Sequence, residues 1–120
     1  MSTDLQKAYV TCALWSSHKG NEPLDSGDFT LSEVTRKKLE EKAQKFWDEN
    51  EPMIQEFMRR YNVGEAQVGH SLWLSQNGHG AGLFDFGENG DFGGQLQARA
   101  RGNETYLWVD DENVIHMEGE

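Results

Sequence analysis

Residues 30–61 read TLSEVTRKKLEEKAQKFWDENEPMIQEFMRRY, and this stretch decides the fold class. Leu31, Val34, Leu39, Ala43, Phe46 and Trp47, then Met53, Ile54, Phe57, Met58 and Tyr61, recur at steps of three and four. That spacing lays one continuous apolar stripe along a helix. Thr30 and Glu33 have the spacing of a reciprocal capping pair, so the helix is predicted to start there. Pro52 removes an amide and collides with the preceding turn, which predicts two helices or one helix kinked near Asn50. The outer face carries Glu33/Lys37, Glu41/Lys45 and Glu56/Arg60 at i, i+4, pairs that each add a few tenths of a kcal/mol to a solvated surface. Asn62 or Gly64 can take the left-handed conformation that ends the helix.

Upstream, Leu5, Ala8, Tyr9, Cys12, Ala13 and Trp15 form one face of a second helix over residues 4–15, capped by Ser2, Thr3 or Asp4. Cys12 falls on its buried stripe and is read as a small hydrophobe, not a nucleophile. Residues 16–28 hold Gly20, Asn21, Pro23 and Gly27 and read as a connector. Downstream, residues 65–72 are predicted to form a short helix turning Ala66, Val68, Gly69 and Leu72 inward. Residues 73–76 and 82–85 are predicted to flank a glycine-rich turn as strands, and residues 95–101 to form a brief helix. Residues 105–109 and 114–117 are β-favouring runs around Asp110-Asp111-Glu112-Asn113, the pattern of a hairpin with a four-residue loop.

The expected architecture is therefore one α+β domain over residues 1–120. An N-terminal helix and a long kinked helix pack on a small antiparallel sheet that includes the C-terminal hairpin. Phe46, Trp47, Ile54, Phe57, Trp73 and Trp108 are expected to be buried together. A chain of 120 residues buries roughly two-thirds of its unfolded surface and needs no metal or disulfide. A single Cys excludes an internal disulfide, and with no apolar leader and no run long enough to cross a bilayer the reading is a cytoplasmic protein.

The formal net charge of −10 is unevenly spread. Residues 31–61 carry seven acids and seven bases, whereas residues 62–120 carry ten acids against Arg99 and Arg101 alone, which places eight of the excess negative charges in the second half. A field of this sign repels nucleic acid and membrane phosphates and favours basic partners. The Arg36-Lys37-Lys38 cluster is too short and too well balanced by acids to act as a nucleic-acid patch.

Between the two halves lies His70-Ser71-Leu72-Trp73-Leu74-Ser75-Gln76-Asn77-Gly78-His79-Gly80-Ala81-Gly82-Leu83-Phe84-Asp85. Gly78, Gly80 and Gly82 lack the spacing of a dinucleotide fingerprint, and no Gly-Lys-Ser/Thr follows as in a phosphate-binding loop. His70, His79, Asp85 and His116 show no recognised metal-ligand spacing, so neither a metal nor a cofactor is expected. His79 with Asp85 could act as an acid/base pair, the carboxylate fixing the imidazole tautomer, with Asn77 and loop amides cradling an anion. No nucleophile is marked, and a structural turn or a recognition loop built on His70, Trp73, Asn77, Gly78, His79, Gly80, Gly82 and Asp85 is preferred to catalysis.

His70-x-x-Trp73-Leu74-x-x-Asn77-Gly78-His79-Gly80-Ala81-Gly82-x-x-Asp85, with Ala13-Leu14-Trp15, Glu22-Pro23-Leu24-Asp25 and the acidic hairpin Tyr106–Ile115, resembles a family of small uncharacterised bacteriophage proteins. The similarity spans most of the chain, although Phe86 stands where that family usually carries a basic residue. The resemblance implies a phage-encoded protein acting in the host cytoplasm on host or defence machinery. The expected function is binding of a host protein through the acidic half, with imitation of DNA charge as one form of it. The alternative is a small-molecule site or hydrolase-like enzyme at the loop of residues 77–85.

Overall fold

The computed structural model describes residues 3–77, 98–100 and 104–118. Among the described residues the α+β fold has the elements α1 (Thr3–Ser16), β1 (His18–Lys19), β2 (Glu22–Pro23), β3 (Thr30–Leu31), α2 (Glu33–Tyr61), α3 (Glu65–Gln76), β4 (Leu107–Val109) and β5 (Val114–Met117).

The predicted kink in α2 is present. Asn50 leaves helical geometry at φ −130° and ψ 17°, two residues before Pro52. The second half restarts with Pro52 in its first turn, where a missing amide costs no hydrogen bond. Asn50 Nδ2 donates to the Phe46 carbonyl at 3.0 Å, the acceptor that the backbone amide of residue 50 serves in an unbroken helix. Asn62 ends α2 in the left-handed conformation, φ 53°, and its amide donates to Met58 O. The start of α2 differs from expectation. Ser32, not Thr30, is the cap, its Oγ accepting from Thr35 N at 3.2 Å. Thr30 is engaged in β3, donating its amide to Asn113 O at 2.9 Å.

Helix α1 packs chiefly on α3 and less on α2. Leu5, Tyr9, Cys12, Ala13, Leu39, Ala43, Ile54, Phe57, Val68 and Leu72 are fully buried in one cluster with Phe46, Trp47 and Trp73. Helix α3 runs four residues further than expected, so residues 73–76 are helix and not strand, and Ala66 is exposed. Residues 71–76 are all buried, polar ones included, which removes the one-sided pattern by which an amphipathic helix is recognised. Of the expected strand pair, residues 82–85 lie outside the described residues. So does most of the brief helix expected over 95–101, of which residues 98–100 are helical.

The expected small sheet is mixed, not antiparallel. Its order is β3-β5-β4, with β5 antiparallel to β4 and parallel to β3. A parallel pair needs a long crossover, and α2 and α3 provide it. Residues 16–28, expected as a plain connector, fold into a β1–β2 hairpin in which Gly20 takes φ 63° at the tight turn. Trp108 does not join the core: Leu107 and Met117 pack against it, so Trp108, one residue out of phase, faces outward.

Candidate functional site

Among the described residues of the acidic half, the large exposed aromatic side chains, Tyr106 and Trp108, lie on the outer face of the β4–β5 hairpin. Asp110 sets the turn. Its Oδ1 accepts from Glu112 N at 2.9 Å and Val114 N at 3.0 Å, while Asn113 takes the left-handed conformation that brings the chain back. The register pairs Trp108 with His116, and their rings stack at 4.6 Å with 28° between planes. His116 Nε2 meets Asp110 Oδ2 at 2.8 Å, so one carboxylate holds both the turn and the ring under the indole. These bonds, the His116 contact foremost and the Val114 amide next, hold the Asp110 carboxyl below the usual aspartate range.

Trp108 is 50% exposed and Tyr106, two residues back on the same face, 59%. The Tyr106 hydroxyl donates to Glu104 Oε2, a contact that raises its pKa. Exposed Glu104 and Glu118 lie beside Tyr106, and exposed Asp111 and Glu112 lie in the hairpin turn. Indole and phenol faces attract cations, and neighbouring carboxylates accept the N–H groups those cations carry. A basic side chain is therefore the group this surface is suited to receive.

The residues singled out in the sequence fall in different places. Trp73 is a core side chain: it meets Tyr9 edge-on at 5.6 Å and its Nε1 donates to Ser16 Oγ at 2.6 Å. Asn77 is a tie. Its Nδ2 donates to Trp73 O at 3.0 Å, closing α3, and its Oδ1 accepts from Thr105 N at 2.8 Å, holding the approach to β4. His70 is exposed, its ring 5.8 Å from that of Trp15. These three do not converge on one site. Gly78, His79, Gly80, Gly82 and Asp85 lie outside the described residues. Among the described residues, no three of His, Cys, Asp and Glu converge as a metal-ligand group. Nor is any helix there long and apolar enough to cross a membrane.

The hairpin face was not singled out in the sequence, although the signal was present. Tyr106-Leu107-Trp108-Val109 alternates, so placing Leu107 inward places both aromatic rings outward. No protein-family model, curated protein or solved structure matches the chain.

Proposed function

We propose that the protein is a small, acidic, phage-encoded accessory factor that binds a basic host or defence protein in the host cytoplasm through the outer face of its C-terminal hairpin. The observation that carries this reading is the half-exposed Trp108, fixed by its stack on His116, on the same hairpin face as Tyr106 with its neighbours Glu104 and Glu118. Exposed Trp and Tyr side chains are the residue types that dominate binding energy at protein interfaces. A net charge of −10 steers basic partners toward the protein and away from nucleic acid. The phage context is supported by the sequence resemblance, and imitation of DNA charge is the narrower form of the same reading.

The test is capture from a bacterial lysate at low and moderate salt, with wild type and Trp108→Ala compared. A basic protein retained by wild type and released about 30-fold more readily by the variant is expected for an aromatic anchor. Equal retention by both proteins overturns the assignment of the face. Competition by duplex DNA for the captured partner separates the DNA-mimic form from ordinary docking.

A further inference from the structure

A second site, of opposite sign, lies at the kink of α2. Lys42 and Lys45 on α2, Arg99 and the amide side chains of Asn50 and Gln76 line a recess of about 200 Å³, with Glu49 and Phe46 completing it. Arg99 is one of only two bases in residues 62–120, and it is drawn here by a hydrogen bond from Nη1 to Asn50 Oδ1 at 3.3 Å. Asn50 and Gln76 are 8% and 4% exposed. Both are fixed: Asn50 by the Phe46 carbonyl, Gln76 by the Tyr9 hydroxyl, which donates to its Oε1. Lys42 is held by Thr105, its Nζ donating to the threonine Oγ1.

We propose that this recess binds a compact oxyanion, the phosphate or carboxylate group of a small molecule, between Lys42, Lys45 and Arg99. Among the described lining residues three cations stand with one acid, Glu49, in a protein whose formal net charge is −10. A guanidinium is suited to bidentate contact with such groups, and two ammonium groups add point charges. Oriented side chains in a concave site bind without first losing much rotamer freedom. Burial also lowers the pKa of Lys42 by stripping water from its ammonium, and an anion placed nearby would favour the charged form. The protein's overall negative charge opposes the approach only weakly at ordinary salt, because exposed charges beyond about 10 Å are screened.

The experiment is titration of the full-length protein with inorganic phosphate and, separately, succinate, followed by amide chemical shifts, with sodium chloride at matched ionic strength as control. Saturable shifts at Asn50, Gln76 and Arg99 are expected with at least one of the two. The stronger response identifies the phosphate or the carboxylate class. Arg99→Gln, an exposed position, should weaken binding about tenfold or more, and Lys42→Gln likewise. Arg99→Gln keeps the test decisive if Lys42→Gln does not fold. Shifts that match the chloride control, or phosphate and succinate affinities unchanged by Arg99→Gln, overturn the proposal.

Discussion

At Gly69 the backbone of α3 lies directly against that of α1. A Cβ built on it would lie 3.0 Å from the carbonyl carbon of Leu5 and 3.1 Å from its Cα, and nearer still to the carbonyl oxygen. All three atoms are backbone of α1, so no rotamer change relieves the overlap. Carbon atoms rest at about 3.5–4.0 Å, so Gly69→Ala must part α1 and α3 by roughly 0.5–1 Å, which forfeits a quarter to a half of the dispersion energy of each contact so stretched. The contacts at risk are those of Leu5, Tyr9, Cys12, Val68, Leu72 and Trp73, the centre of the core. Overpacking of this kind costs about 1–3 kcal/mol, and more where the backbone cannot yield. Opposing it, Ala is favoured over Gly inside a helix by about 1 kcal/mol. The clash involves fixed backbone along the main helix contact, so the upper part of the overpacking range applies and a net loss of about 2 kcal/mol is expected. Urea unfolding followed by tryptophan fluorescence reads it as a lower midpoint at unchanged slope. Ala66→Gly on the exposed side of the same helix supplies the propensity scale, with an expected loss of about 1 kcal/mol. A Gly69→Ala protein as stable as wild type, or more so, refutes the close-approach argument.

Cys12 should resist alkylation at neutral pH until the protein unfolds, because burial pushes its thiol up to about 12 and removes the reactive thiolate; rapid labelling of the native protein by iodoacetamide contradicts this. Trp73→Phe removes the Nε1–H···Ser16 bond while keeping an aromatic ring, and should cost about 1–3 kcal/mol by urea unfolding, since it also leaves a gap. Asp110→Asn tests the hairpin. A carboxyl whose folded pKa is depressed contributes stability above its unfolded pKa and loses it as pH falls through the folded value. The variant should therefore be less stable than wild type at neutral pH, and the gap should close as pH drops through and below the ordinary aspartate range. A gap constant across that range would show that the ionised carboxylate is not what holds the turn.

The helical half of the fold was legible because its signals are local and repetitive. The stripe from Leu39 to Phe57 fixes a buried face, Pro52 forces a break, and Asn62 tolerates the left-handed cap. Residues 73–76 misled because a helix buried on all sides loses the alternation of polar and apolar faces. The polar members of that stretch find partners from distant parts of the chain, Gln76 from Tyr9 and Trp73 from Ser16, and no local pattern announces such contacts. The parallel pairing of β3 with β5 was invisible for a related reason. Two residues are too few to show a strand period, and the partner lies more than eighty residues away.

The candidate site failed to emerge from the sequence for the opposite reason: one strong local signal was weighed by residue size and not by phase. Trp108 is a large aromatic residue in a β run, and large aromatic residues dominate cores. Strand geometry is indifferent to that preference when the neighbours are also apolar. With Leu107 and Met117 set against the helices, the period of two leaves Trp108 and His116 on the solvent side whatever their hydrophobicity. A tryptophan exposed by its register loses hydrophobic burial that an outward lysine or threonine would not forgo. Here a histidine stacked beneath the ring, itself held by Asp110, offsets only part of that loss, since the indole stays 50% exposed. The turn bonds of Asp110 are made without the indole, whose stack on His116 adds one cross-strand pair. The outward indole and phenol are thus costly features of this face that the turn bonds do not explain, and a basic partner is the physical reason proposed for them.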